Sequence, residues 1–324
     1  LATRVKRSLH TDTPFPPEEA AGQNPPDGAV INYYLKSPAK TPIVLEITDV
    51  LGNLVRRFTS EDKPLDVNLK RVNPPEYWIR PFQPLKNEAG MQRFVWDLMY
   101  ANPPSDSYDL PISAIVGDTP WTPQGPAVML GLYMVKLTVD GKSFNQTLKV
   151  RMDPRVKTTP LGLKQQFDLS MQAYKGIQCV ADMTASVKKF SADIAKLRTL
   201  ALMTDAQKAR LDMIESKIKM LNDGTPQKPG TPVAVSDFPL GRLGGAFTQL
   251  LDLLQDADVA PSTQAVAASK DLQLALAKAE VQQGAKVMGK GAGLLGAAAF
   301  VGLIGLIFLL HTLAQVIALS LIHI

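Results

Sequence analysis

Cysteine is nearly absent from this chain of 324 residues: Cys179 stands alone. A single thiol excludes a disulfide framework and any multi-thiolate metal site. Histidine is almost as scarce, with His10, His311 and His323 scattered and two of them in an apolar tail. A His-based zinc site or a Ser-His-Asp triad has little to work with. There is no phosphate loop either, because Gly241-Arg242-Leu243-Gly244-Gly245 lacks the lysine and reads as a helix entry. These absences argue against an enzyme, and we expect no catalytic residue, cofactor or metal.

Excess charge is also missing from most of the chain. Residues 1–150 carry 16 Lys+Arg against 16 Asp+Glu, and residues 201–290 carry 10 against 10. The surplus of +5 sits in residues 151–200, with 9 against 4. Nucleic-acid binding wants basic clusters with interleaved aromatics, and Lys188-Lys189 is the only Lys-Lys pair there. A solvated helix face is the better reading, and no nucleic-acid partner is expected.

What is present divides into four stretches. Residues 1–28 are rich in proline (Thr13-Pro14-Phe15-Pro16-Pro17, Asn24-Pro25-Pro26-Asp27-Gly28) and read as an extended arm. Residues 29–157 read as β. Val30 to Leu35 lies between Gly28 and Pro38, and Ile43, Leu45 and Ile47 alternate with polar or outward positions. Asp49 to Asn53 supplies a turn before Leu54–Phe58, and Arg93–Leu98 is a further strand. Tyr133, Val135, Leu137 and Val139 run into Asp140-Gly141, a favoured two-residue hairpin turn, and Phe144 to Val150 returns. A proline-rich connection, including Pro103, Pro104, Pro111, Pro120, Pro123 and Pro126, fills residues 101–128.

Residues 158–277 read as helical. Phe167, Met171, Tyr174, Ile177, Val180, Thr184, Val187, Phe190, Ile194 and Leu197 form one stripe, about 45 Å long at 1.5 Å per residue. Thr204 or Asp205 can cap a second helix carrying Leu211, Ile214, Ile218 and Leu221, stopped by Asn222-Asp223-Gly224. A third carries Leu243, Phe247, Leu250, Leu251 and Leu254, and a fourth begins near Gln264. Such stripes predict an antiparallel bundle.

Residues 291–324 contain no Asp, Glu, Lys or Arg. Ala292 to Leu310 is long enough to cross the ~30 Å hydrocarbon layer, so a transmembrane helix is expected after an amphipathic lead-in from residue 278. Gly289 and Gly293, then Ala298 and Gly302, have the small-x-x-x-small spacing that lets membrane helices pack closely. Lys278, Lys286 and Lys290, opposed only by Glu280, favour a cytoplasmic flank.

Isolated chemical candidates are weak. Trp96-Asp97 could stack and hold a sugar, but reads better as a strand with its tryptophan in the core. Glu18-Glu19 are adjacent on an extended arm and point apart, so they cannot flank a glycosidic bond. Cys179 falls beside the helical stripe and reads as an inert thiol. Asn145-Gln146-Thr147 fits a glycosylation acceptor, and His311 interrupts the apolar span.

Two resemblances attach to these residues. Asn24-Pro25-Pro26-Asp27-Gly28-Ala29-Val30-Ile31, Tyr33-Tyr34-Leu35, Leu45-Glu46-Ile47 with Asp49, Gly52 and Val55-Arg56, Arg93 to Leu98, Gly131-Leu132-Tyr133 and Asp153-Pro154-Arg155-Val156 together resemble one bacterial family. It is the C-terminal accessory region of BNR-repeat glycosyl-hydrolase-like (sortilin-like) proteins, with an Ig-like module of the flagellar hook-capping type. That resemblance implies an upstream β-propeller or an envelope protein as partner and a non-catalytic role outside the cytoplasm. Leu274 to Val281 with Lys290 to Gly296 is similar to Holin-X, a phage-holin-like membrane group, and implies the lipid bilayer as partner, with homo-oligomers through the membrane helix. The two meet near residues 270–280, which reads as a fragment fused there.

The expected fold class is α+β multidomain: an arm (1–28), an Ig-like β-sandwich (29–157), an antiparallel helical bundle (158–277) and a lead-in with a transmembrane helix (278–324). The expected function is an envelope accessory region joined to a membrane segment; the alternative is a holin-like membrane protein with a soluble regulatory domain.

Overall fold

The computed structural model describes residues 1–6, 20, 22, 25–72, 76, 79–105, 108–110, 119–199, 204–224 and 234–281. Residues Leu1–Gln273 form one compact unit, and of the unit that follows only residues 274–281 are described.

Among the described residues the β part has seven strands: β1 (Ala2–Arg4), β2 (Ala29–Leu35), β3 (Val44–Thr48), β4 (Leu54–Thr59), β5 (Gly90–Trp96), β6 (Gly131–Val139) and β7 (Lys142–Met152). Period-2 alternation decides which side chains go inside. Ile43, Leu45 and Ile47 are fully buried, and Tyr33, Leu35, Phe94, Trp96, Tyr133 and Val135 complete the same core. Trp96 and Tyr133 meet edge to face at 5.9 Å. Asp140 and Gly141 have φ of 46° and 77°, the left-handed pair that a two-residue hairpin turn demands. Gly28 is needed for space as well as for its φ of 133°, because a Cβ there would lie 2.0 Å from the Trp96 carbonyl oxygen.

The strands do not assemble as expected. Five form a mixed sheet in the order β1-β7-β6-β3-β4, and β2 pairs with β5 as a separate antiparallel ribbon. An Ig-like sandwich divides its seven strands four and three, all antiparallel. Here the division is five and two, and β1 runs parallel to β7, with Ala2 opposite Val150 and Arg4 opposite Met152. The first residues of the expected arm are thus an edge strand, which corrects the Ig-like reading.

Four helices follow among the described residues: α1 (Pro160–Arg198), α2 (Asp205–Asp223), α3 (Leu240–Gln255) and α4 (263–281). Pro160 stands at the first helical position, where its missing N–H costs nothing, and the Thr159 hydroxyl accepts from the Gly162 amide at 3.2 Å. α1 and α3 approach closely. A Cβ on Gly176 would sit 2.7 Å from the buried Phe247 ring, and one on Gly244 would sit 3.3 Å from Val180. α3 buries Leu240, Leu243, Phe247, Leu250, Leu251 and Leu254. α2 buries no residue at all, which corrects the expectation of a bundle in which every stripe is covered.

The expected transmembrane helix is not among the helices described. Among the described residues no helix is long and apolar enough to cross a membrane. The segment 292–310 lies outside the described residues, as do Gly289, Gly293, Ala298 and Gly302.

Candidate functional site: an ion-paired junction at the loop between α3 and α4

The loop between α3 and α4 is where polar groups from the whole unit converge. Arg4, the last residue of β1, is buried and donates to the Val128 carbonyl at 2.7 Å and to the Asp258 carboxylate at 2.7 Å. The side chains of Arg4 and Asp258 are only 9% and 6% exposed. α1 holds the same loop from its other side: Gln166 donates to the carbonyls of Leu254 and Ala257, and the Thr158 hydroxyl donates to the Asp258 carbonyl at 2.6 Å. Gln255 accepts from the Ala127 amide at 2.9 Å and donates to the Ser170 hydroxyl at 2.7 Å.

A cleft of about 450 Å³ opens beside this pair, lined in part by Lys6, Asp153, Thr158, Asp256 and Asp258. Burial pulls the Lys6 ammonium below its ordinary range, partly opposed by the Asp258 carboxylate. Asp153 accepts from the Arg155 guanidinium and from the Arg155 amide, which hold its carboxyl down to about 2. The Asp153 amide in turn donates to the Arg4 carbonyl at 3.2 Å, continuing the β1–β7 ladder into the turn. The Arg4–Asp258 pair is incompletely satisfied, since Arg4 Nε and Asp258 Oδ2 are buried without a hydrogen-bond partner.

α4 begins five positions beyond Asp258. The Ser262 hydroxyl accepts from the Ala265 amide at 3.2 Å and caps the helix. Ala265, Ser269 and Leu272 recur every three or four residues and are buried. Ser269 meets Gln172 of α1 at 3.3 Å, and Gln273 donates to the Gln172 carbonyl at 3.3 Å. The helix runs unbroken through residues 270–280.

The chemical candidates of the sequence take ordinary places. Trp96 is fully buried and its indole donates to the Met99 carbonyl at 3.1 Å, so it offers no face to a sugar. Asp97 accepts from the Met99 amide at 3.0 Å; burial raises its carboxyl, with Arg56 pulling the other way. Cys179 is half-buried, and Asn145, Gln146 and Thr147 lie exposed on β7. His10, Glu18, Glu19, His311 and His323 lie outside the described residues. Among the described residues no group of three or more His, Cys, Asp or Glu could hold a metal ion.

Arg4, Asp258 and Gln166 carried no signal in the sequence. The ion pair spans 254 positions, and neither a lone arginine in a short extended segment nor one aspartate of a loop marks its partner.

Residues 260–323 match the family model described as Putative Actinobacterial Holin-X, holin superfamily III. The match begins two residues after Asp258 and takes in all of α4. No curated protein and no solved structure matches the chain. The family match supports the holin-like part of the expectation, and none of the comparisons supports the BNR-repeat or hook-capping likeness of the residues before it.

Proposed function

We propose that the chain is a holin-like, membrane-associating protein whose N-terminal unit, the described sheet and helices, regulates its C-terminal segment without catalysis. The observation that carries this reading is the coincidence of the Holin-X match at 260–323 with 34 consecutive residues, 291–324, that hold no charged side chain. Such a stretch gains free energy by leaving water, at about 0.3–0.6 kcal/mol for each Leu, Ile, Phe or Val moved into the bilayer. Lys278, Lys286 and Lys290 just before it suit an anionic lipid surface. The lipid bilayer is therefore the proposed partner, with self-association through the same segment as the proposed means of permeabilisation.

The test is expression of the full chain in bacteria, followed by alkaline extraction of membranes. The protein should stay in the membrane pellet and slow or lyse the culture. Changing Val301, Ile304 and Phe308 together to Asp should move it to the supernatant and abolish lysis. Recovery of the unmodified chain in the supernatant would refute the reading.

A further inference from the structure

We propose that the outer face of the five-stranded sheet, led by the Val50-Leu51 tip of the β3–β4 turn, docks on an anionic phospholipid surface. The contact uses none of the residues on which the membrane reading above rests. It gives the N-terminal unit its own hold on the same partner.

Strand register assembles the apolar part of this face. Leu45 and Ile47 are buried in the core, so Val44, Glu46 and Thr48 point outward. Thr48 lies opposite Leu54 of β4 on one side and Met134 of β6 on the other, and Leu132 follows one pleat beyond Met134. Leu54, Met134 and Leu132 are exposed, and past Thr48 the turn projects Val50 and Leu51, which are 74% and 82% exposed. The turn is fixed in this shape. The Asp49 carboxylate accepts from the amides of Leu51 and Asn53, each at 2.9 Å, and Gly52 takes a φ of 84°. Single apolar side chains on a surface are ordinary, but a cluster at one end of a sheet marks a contact surface.

Charge selects the occupant. Arg57, Lys136, Lys149 and Arg151 stand on the same face, and among its described strand residues Glu46 is the only acid. Glu46 accepts from Lys136 at 3.0 Å, so the face carries a positive surplus. Lys149 lies directly opposite Leu132, which sets a cation beside the apolar end. A second copy docked through this face would bring like charges together. Anionic headgroups would instead meet the cations while Val50 and Leu51 reach the acyl boundary, the division of labour in a peripheral membrane contact. A projecting tip, unlike a groove, also needs a partner that yields around it, as an acyl layer does.

The test uses the full chain with Cys179→Ser and one new cysteine carrying an environment-sensitive fluorophore. The label goes either on the tip, by Leu51→Cys, or on the separate β2–β5 ribbon, by Tyr34→Cys, both exposed positions. Vesicles of phosphatidylglycerol should shift the tip label to the blue and raise its emission about threefold, and leave the ribbon label unchanged. Adding Arg57→Glu and Lys149→Glu should weaken vesicle binding read at the tip about tenfold, and high salt should weaken it as well. No change at the tip, an equal change at both sites, or an equal response to neutral phosphatidylcholine vesicles would overturn the proposal. A tip response that grows with protein concentration without vesicles overturns it too and assigns the face to a second copy. The same measurement is made with Val301, Ile304 and Phe308 changed to Asp. The tip response should persist there, whether or not the C-terminal membrane reading holds, and its loss would overturn the independent contact.

Discussion

α2 and α3 carry the same kind of apolar stripe and come to opposite ends. α3 hides six apolar side chains against its neighbours, whereas α2, with Leu211, Ile214, Ile218 and Leu221 at helical spacing, hides none fully and leaves Met213 and Met220 exposed. The difference lies in what faces each helix. α1 presents Gly176 to Phe247, and α3 presents Gly244 to Val180, so the two backbones come near enough for the ring to be enclosed. α2 is held at its surface instead. Arg198 at the end of α1 reaches Asp212 and Glu215, the latter at 2.7 Å, and these three side chains are substantially exposed. An amphipathic stripe makes a helix possible; a complementary surface makes it part of the core.

The comparison predicts a descending series of effects. Phe247→Ala should cost about 3–5 kcal/mol, the usual range for removing a buried ring, read as a lower denaturant midpoint; a loss under about 1 kcal/mol would mean that α3 is not the anchor. Gly176→Ala should cost about 1–3 kcal/mol, because a methyl 2.7 Å from the enclosed ring must displace it. Pairing that change with Phe247→Leu should recover part of the loss in a double-mutant cycle.

For α2 the effects are smaller and local. The Thr204 hydroxyl accepts from the Gln207 amide at 3.3 Å, while the Gln207 side chain accepts from the Thr204 amide at 2.8 Å, a reciprocal cap. Thr204→Ala should cost α2 about 0.5–2 kcal/mol, visible as faster exchange within Asp205–Asp223 and not as a shift of the main unfolding transition. Arg198→Ala should have the least effect: exchange of α2 should quicken at low salt, and the difference from wild type should vanish near 1 M salt, where exposed pairs are screened. A shift of the main transition in either variant would show α2 to be as integral as α3.

Much of the local structure was legible from residue order alone. The strands around Ile43, Leu45 and Ile47, the Asp140-Gly141 hairpin, the cap at Thr204 and the stop at Gly224 depend on neighbours a few positions apart, and period, turn chemistry and capping report those directly. The partition of the strands was not legible. Ala2-Thr3-Arg4 is too short to show a period, and its parallel pairing with β7 is a contact across the length of the β part. The junction was hidden for the same reason, because Arg4, Gln166 and Asp258 are unremarkable where they stand and significant only together. The membrane reading of the C-terminal segment runs the other way: it is carried by composition and by the Holin-X match, while most of that segment lies outside the described residues.

The sequence by itself determined the elements: which stretches alternate, which coil, where caps and turns fall, and that the last 34 residues lack charge. Those properties follow from steric and solvation preferences acting over one or two turns of chain. The tertiary structure alone decided the five-and-two division of strands, the burial of α3 over α2 and the meeting of Arg4 with Asp258. Each of these depends on which distant surfaces fit and which buried charges find a counter-charge, and such complementarity exists only once the chain has closed on itself.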